Sequence, residues 1–242
     1  MLLLLLLLSL VEPGVAMCRP AHSVLQSEND RRGVQLLRRA QDAIGGAAKL
    51  AAVRDTMHVM EITLEQAAGG YKMKQVSRFV APDQFRSEQD TPFGRIVIYS
   101  DGKNGWITTP QGTKPLPPDT LAIARGVLFR QPSSLMQSDR DPSRSVKAVG
   151  TNAVEVSSAE GETVRIEFDP ATGLPLRQIY QIAGAGGRRV TRTETFSDWR
   201  DVDGLRFPFR AAQLEDGSKM LELVVSEYKV NTGLTAADLS KR

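Results

Sequence analysis

The sequence predicts a mainly β protein, in which a helix precedes an antiparallel meander of roughly ten or eleven short strands. Apolar and polar residues alternate along most of the chain, and Thr163–Phe168 is the clearest example of a half-buried strand. Turn sequences such as Asp169–Gly173 separate these segments. Strands do not alternate with helices, which argues against a doubly wound nucleotide-binding fold.

The N-terminus has the composition of an export signal. Leu2–Leu8 is an unbroken leucine run, shorter than the roughly 20 apolar residues that a membrane-spanning helix needs. Its length suits the hydrophobic region of a signal peptide, and Gly14–Ala16 offers small residues for cleavage. We therefore expect export to the periplasm. The expected segments are a signal peptide over 1–16, a flexible segment over 17–29 and a single domain over 30–242.

The lone cysteine, Cys18, allows a second interpretation of this end. Val15–Cys18 resembles a lipoprotein signal, in which the cysteine is lipidated and tethers the protein to a membrane. Met17 departs from the small residue expected directly before such a cysteine, so a free thiol near the end of the mature chain stays open. One cysteine also excludes an intramolecular disulfide and any cysteine-based metal site.

Helical spacing appears twice, once before the strands and once among them. The first helix is predicted to start between Ser27 and Asp30, where Ser27 or Asn29 can cap it, and to end at Gly45–Gly46. Pro117 and Pro118 open a helical insertion near residues 118–138. The apolar residues of these helices are Val34, Leu37, Ala40 and Ile44 in the first, and Leu121, Ala124, Val127 and Leu128 in the second.

Strands flank the insertion on both sides. Before it, turns at Gly69–Gly70, Thr91–Gly94 and Asp101–Gly105 separate the predicted strands. After it, strands resume at Val146 and end in a last hairpin. The segment Thr191–Thr195 has no apolar face, so we predict an edge strand there, as in a sheet that does not close.

No motif of the common catalytic families is present: the sequence lacks G-x-x-x-x-G-K-[ST], H-E-x-x-H and G-x-S-x-G. His58 could act as a general base, but its apolar strand face favours a core or cavity histidine. With two histidines and one cysteine, we expect no metal, no cofactor and no catalytic residue. The net charge of +3 has no basic block, which speaks against a nucleic-acid partner.

Two further features have a functional and an ordinary interpretation. Gly184–Gly187, followed by two arginines, could hold a phosphate, but it lies between strands and fits a hairpin loop better. Trp106 and Trp199 could form an aromatic wall for a ligand, but ordinary core packing is the favoured interpretation.

Several segments resemble one known group of proteins. They are Ala43–Leu50 at the end of the first helix, Tyr99–Trp106, Asp169–Pro175 and Phe196–Pro208. Together with the export signal and the meander, they resemble the outer-membrane lipoprotein-sorting superfamily, the periplasmic carriers and outer-membrane receptors of the Lol system. Similar stretches also occur appended to insulinase-like zinc peptidases, but this chain has no peptidase motif.

The resemblance implies a strongly curved, unclosed antiparallel β-barrel with helices as a lid, and the helix over 118–130 is the lid candidate. Its concave side would be an apolar cavity for acyl chains. Burial of each methylene group of such a chain is favourable by about 0.8 kcal/mol. Which strand face lines the cavity is ambiguous by one register step. The candidate lining residues are Ile62, Leu64, Tyr71, Met73, Phe79, Phe85, Ile96, Ile98, Trp106, Leu128, Phe168 and Phe207.

The resemblance therefore predicts a monomeric periplasmic binding protein whose partners are lipoprotein acyl chains or other lipids. The alternative is an accessory module without enzymatic activity that binds an envelope complex or a peptidase. Uptake of an apolar ligand distinguishes the first function, and a stable protein partner distinguishes the second.

Overall fold

The computed structural model describes residues 21–184 and 188–242, with side chains from residue 28 onward. Residues 1–16 with their predicted signal peptide, the lipidation candidate Cys18 and residues 185–187 of the glycine-rich loop lie outside the described residues. The described helices are α1 (Ala21–Ile44), α2 (Ala47–Ala51), α3 (Pro118–Phe129), α4 (Pro132–Leu135) and α5 (Ala236–Ser240).

The described strands are β1 (Asp55–Leu64), β2 (Lys72–Val80), β3 (Gln84–Thr91), β4 (Gly94–Ser100), β5 (Gly105–Thr109), β6 (Gly112–Pro115), β7 (Arg144–Ala148), β8 (Ala153–Ser158), β9 (Thr163–Phe168), β10 (Pro175–Ala183), β11 (Arg189–Val202), β12 (Leu205–Glu215) and β13 (Ser218–Val230). The prediction of ten or eleven strands omitted β6 and β8. β6 carries no apolar alternation because all four of its residues are exposed, and β8 is a short strand directly after a turn.

All of these strands belong to one curved antiparallel sheet that does not close. Their order is β6-β5-β4-β3-β2-β1-β13-β12-β11-β10-β9-β8-β7, which leaves β6 and β7 as the edges. Shifts of register occur where β13 pairs with β1 and with β12, and such bulges bend a sheet. The unclosed β-barrel predicted from the resemblance is therefore confirmed.

Two meanders make up the sheet, and they meet where β1 pairs with β13. The buried carboxylate of Asp55 fixes this seam at one end, because it accepts hydrogen bonds from the backbone N–H and hydroxyl of Thr232, at 2.8 and 2.6 Å, and from the N–H of Gly233 at 3.0 Å. The chain leaves the first meander at edge β6 and enters the second at edge β7. The predicted helical insertion, now α3 and α4, makes this connection.

One face of the sheet, called the inner face below, is covered by α1, α3 and α4. Leu37, Ala40 and Ile44 of α1 are buried against strands of the second meander, in a core with Val156 and Ile166. These are the apolar positions that helical spacing predicted. The helix begins at Ala21 rather than near Ser27, since the intervening residues contain no helix breaker and follow a proline in the sequence.

The opposite, outer face carries α5. Leu239 of α5 is fully buried against Val97, Tyr99 and Trp106. The guanidinium of Arg86 lies 5.4 Å from the centre of the Trp106 ring. This corner of the molecule is therefore closed by the last residues of the chain.

Helix α1 ends at the glycine pair, as predicted, and this end packs tightly against the turn between β11 and β12. Gly45 and Gly46 have φ angles of +138° and +101°, which residues other than glycine rarely adopt. A Cβ on Gly45 would lie 2.2 Å from the carbonyl oxygen of Gly204, whereas a Cβ on Gly46 would meet no atom within 4 Å. Of these two glycines, Gly45 therefore needs both the unusual backbone conformation and the absence of a Cβ, whereas Gly46 needs only the backbone conformation.

The two glycines form a matched pair for a stability test. We expect Gly46→Ala to lower the free energy of unfolding by about 1–3 kcal/mol through backbone strain alone. Gly45→Ala should lose roughly 1–3 kcal/mol more, because α1 must also move away from Gly204. Urea denaturation of both variants measures the difference, and equal losses would contradict the proposed close contact.

A candidate ligand cavity on the inner face

A cavity of about 240 Å³ lies on the inner face between the sheet and the region where α3 ends and α4 begins. The cover consists of Val127, Arg130, Gln131 and Pro132, and α3 and α4 are together called the lid helices below. The floor comes from β1, β2, β10, β11, β12 and β13. The cavity therefore spans the seam between the two meanders.

A row of aromatic rings crosses the seam and forms one side of the floor. From β3 to β12 the rings are Phe85, Phe79, His58, Tyr228 and Phe207, with successive centroid separations of 4.9, 5.8, 5.1 and 4.1 Å. Strand register creates the row, since Phe79 lies opposite Phe85 and His58 lies opposite Tyr228. Such cross-strand pairs stabilise neighbouring strands.

The lid rests on this row. Leu128 of α3 is buried against Phe79 and Phe85. Val127 faces the cavity, and Ile123, one helical turn earlier on the same side of α3, is 48% exposed. The apolar side of the lid is therefore only partly covered.

His58 lies at the centre of the aromatic row as a neutral ring. Its Nδ1 is buried and has no hydrogen-bond partner among the described residues. Burial lowers its pKa from 6.5 to about 4, because a charged imidazole would lose its hydration. Among the side chains that the structure describes, no carboxylate orients it as a general base would require, so the geometry agrees with the cavity histidine that the sequence favoured.

The other side of the floor is polar and comes from β10, β11 and β12. The Gln178 side chain donates a hydrogen bond to the Glu194 carboxylate. The Gln213 amide donates to the Tyr180 hydroxyl at 3.3 Å and accepts from Arg192 at 2.8 Å. These residues, called the polar wall below, form two hydrogen-bonded groups on three adjacent strands.

The polar wall corrects the edge-strand prediction for Thr191–Thr195. This segment belongs to β11, which lies inside the sheet between β10 and β12. Its register places Arg192 opposite Tyr180 and Glu194 opposite Gln178, so both charged side chains face inward. The strand lacks an apolar face because one of its faces forms the polar wall, and not because it is an edge.

Arg130 joins the lid to the polar wall. This buried residue follows the last residue of α3, and its guanidinium lies 3.7 Å from the centre of the Tyr180 ring. Its Nη1 is 3.6 Å from a carboxylate oxygen of Glu162. Burial raises the pKa of Glu194, and the hydrogen bond from Gln178 and the charge of Arg130 oppose this rise only in part.

The structure resolves which strand face looks towards the helices. By register, most of the predicted lining residues share the inner face with Met60 and Phe79. These inner-face residues are Ile62, Leu64, Met73, Phe85, Ile96 and Ile98. Tyr71 directly precedes β2, and its ring meets the Phe93 ring edge-on at a centroid distance of 5.5 Å. Phe79 and Phe207 line the cavity itself, while Leu128 packs beside it on the lid.

Besides the inner-face residues and Leu128, two more of the predicted lining residues do not line the cavity. Trp106 pairs with Tyr99 on the outer face, where α5 covers both rings, because the register after the turn at Asp101–Gly105 turns it outward. Phe168 is buried in the core under α1. Ligand binding by the remaining residues stays a prediction.

The polar wall, Arg130 and Tyr228 were not among the residues predicted from the sequence. One available signal was the polar strand Thr191–Thr195, since a polar segment inside a sheet indicates a lined cavity. No such signal marked Arg130, because one arginine at a helix end resembles a solvated residue until the packing is known.

Two further findings concern metal binding and membrane spanning by the described residues. Within residues 21–184 and 188–242, no group of three or more His, Cys, Asp or Glu is placed to hold a metal ion. Among the helices described here, none is long and apolar enough to cross a membrane.

The fold is similar to that of solved bacterial structures. An outer membrane lipoprotein-sorting protein domain from Vibrio parahaemolyticus matches with a TM-score of 0.53 and 15% identity, over 88% of this chain and 97% of that one. A DUF1329 family protein from Desulfovibrio piger gives 0.56 and 14%, over 86% and 96%. A LolA superfamily protein from Nitrosomonas europaea gives 0.52 and 11%, over 84% and 97%.

Sequence comparison adds no closer relative, since no family model and no curated protein matches the chain. At these identities the structural matches establish the fold alone. The predicted likeness to lipoprotein-sorting proteins is confirmed at that level.

His58 provides a pH test of the aromatic row. The unfolded chain binds a proton at His58 more tightly than the folded one does, so stability should fall as the pH drops from 6.5 towards 4. His58→Phe keeps a ring in the row and removes this proton. Between pH 7.5 and pH 5, the free energy of unfolding of the variant should therefore fall by up to about 2 kcal/mol less than that of the wild type.

Urea denaturation at pH 7.5 and pH 5 measures this difference. Tyr228→Phe is the matched control, because it alters the neighbouring ring without changing a group that titrates in this range. Its pH dependence should equal that of the wild type. Identical pH dependence in the wild type and His58→Phe would show that His58 is protonated freely in the folded protein.

Proposed function

We propose that the chain is a periplasmic binding protein that shields acyl chains of lipoproteins, or of other lipids, on its inner face. The observation that carries this proposal is the cavity under the lid helices, with its aromatic floor on the seam. An acyl chain gains about 0.8 kcal/mol per methylene on leaving water. A lidded apolar cavity suits a carrier, because the same surface must hold the chain and release it.

The inner face offers room for a chain beyond the cavity. The cavity volume of about 240 Å³ is below the roughly 300–1,000 Å³ of ordinary ligand sites, so a whole acyl chain needs further space. Ile62, Leu64 and Met73 continue the apolar surface along the first meander, on the same face as Met60. A bound chain would run from the cavity over these residues while the lid helices shift outward.

The fold supports this proposal without establishing it. One of the similar structures is described as an outer membrane lipoprotein-sorting protein domain, and we extend that role to this chain. We propose a binding function without catalysis, since His58 stacks between two rings with its Nδ1 unpaired. Export and anchoring rest on residues 1–16 and Cys18, and mass spectrometry of the mature N-terminus would identify both.

Two neighbouring alanines of β12 allow a matched test of the cavity. Ala211 lines the cavity, whereas Ala212, the next residue, faces the outer side. We expect the wild type to bind the neutral dye N-phenyl-1-naphthylamine with enhanced fluorescence, and a synthetic triacylated lipopeptide to displace it. Ala211→Trp should fill the cavity and weaken dye binding about tenfold or more, while Ala212→Trp should change it by less than about twofold.

Circular dichroism and thermal melting of each variant establish that the fold is intact. If the folded wild type takes up neither the dye nor the lipopeptide, the proposed function is wrong. A stable protein partner recovered under those conditions would favour the accessory module instead. Equal dye binding by the two tryptophan variants would show that the dye binds elsewhere.

A further inference from the structure

The cavity has two chemically different sides, which a purely acyl-binding pocket does not need. The aromatic row forms the apolar side on the seam. Gln178, Tyr180, Glu194 and Gln213 of the polar wall form the other side. A ligand that fills the whole cavity must therefore be an amphiphile, with its polar end towards β10–β12.

The polar wall is organised before any ligand binds. Arg192 is held by Glu215 at 2.6 Å, and it holds the Gln213 amide in turn. Gln213 donates to Tyr180, and Gln178 donates to Glu194. A network whose members already bond one another keeps its geometry, and preorganised polar groups give selectivity at low entropic cost.

Charges of both signs lie beside the cavity, one from the lid and one from the polar wall. Arg130 and Glu194 both line the cavity, and the charge of Arg130 acts on the Glu194 carboxyl. An anionic head group would meet Glu194, and a cationic one would meet Arg130. A head group with either net charge thus gains one favourable partner and one unfavourable partner, and it still loses its own hydration.

An uncharged head group avoids this conflict. Hydroxyl or amide N–H groups can donate to the Glu194 carboxylate, and their oxygens can accept from Arg130. A fatty-acid carboxylate in the cavity would lie beside the carboxylate of Glu194, and two carboxylates at one site repel each other. The neutral amides of Gln178 and Gln213 extend the same preference.

We propose that the cavity selects acyl amphiphiles whose head group is uncharged and donates hydrogen bonds, and discriminates against fatty-acid anions and alkylammonium cations. This inference rests on the proposed function and adds a ligand class to it. The required chemistry occurs in the glycerol hydroxyls of a monoacylglycerol and in the amide of an N-acylated peptide end. Glu194 and Arg130 are the residues that set the selectivity.

Dye displacement with four amphiphiles that share a palmitoyl-length chain tests the proposal on the mature protein at pH 8. They are 1-monopalmitoylglycerol, an N-palmitoylated dipeptide amide, palmitate and hexadecylamine. We expect either uncharged ligand to bind at least about tenfold more tightly than palmitate and hexadecylamine. The tighter of the two uncharged ligands distinguishes a free lipid from an acylated peptide end as the source.

Glu194→Gln tests the role of the charge, since it keeps the shape of the side chain and its hydrogen bond from Gln178. The variant should bind palmitate more tightly and reduce the preference for 1-monopalmitoylglycerol to less than about threefold, because Arg130 then faces the anion alone. Glu222→Gln is the matched control on β13, two strands away from β11 in the sheet. Glu222 pairs with Arg210 and Lys219 on the outer face, so selectivity should stay at the wild-type level.

The outcomes separate this inference from the proposed function. If wild-type protein binds palmitate as tightly as 1-monopalmitoylglycerol, the selectivity is overturned while acyl binding stands. Binding of no amphiphile and no dye would overturn both. The wild-type comparison needs no substitution, so the proposal can be tested even if Glu194→Gln fails to fold.

Discussion

The pairing of β1 with β13 is the interaction on which the rest of the structure depends. It joins strands from opposite ends of the chain, so that the two meanders become one sheet whose edges, β6 and β7, are consecutive in sequence. The chain between these edges must therefore cross from one side of the sheet to the other. Since α1 already covers the inner face over the second meander, the crossing helices cover what remains, and a lidded cavity follows from the topology.

Stability and binding make different demands on the two sides of this cavity. The aromatic row stabilises the seam, because its rings pack across five neighbouring strands and carry Leu128 of the lid. The polar wall has the opposite effect, since a buried carboxylate and amides lose hydration that internal hydrogen bonds restore only in part. An apolar wall would close the core more stably. A polar wall beside an apolar floor is therefore better explained by ligand selectivity than by a contribution to the stability of the fold.

Local features of the fold could be predicted from the sequence, whereas features that depend on strand register could not. Helical spacing located the buried face of α1, and glycine pairs and Asp-Gly turns located the element ends. A period of two does not say which face is inner, and Trp106 shows the consequence, since the hairpin before it turns the ring outward. The same ambiguity explains Thr191–Thr195: an exposed edge and a buried polar wall both lack apolar residues, and only the strand order separates them.

In the proposed function, Arg130 would link opening of the lid helices to occupation of the cavity. It ends α3 and rests on Tyr180, so moving the lid outward separates a guanidinium from an aromatic ring and from Glu162. Such a desolvated cation–π contact contributes about 2 kcal/mol. Burial of about three methylenes gives a comparable gain, at roughly 0.8 kcal/mol each. An acyl chain much longer than three methylenes would therefore hold the lid helices open, whereas a short apolar molecule would not. In this proposal the length of the chain determines whether the lid opens, and the head group determines which amphiphile binds.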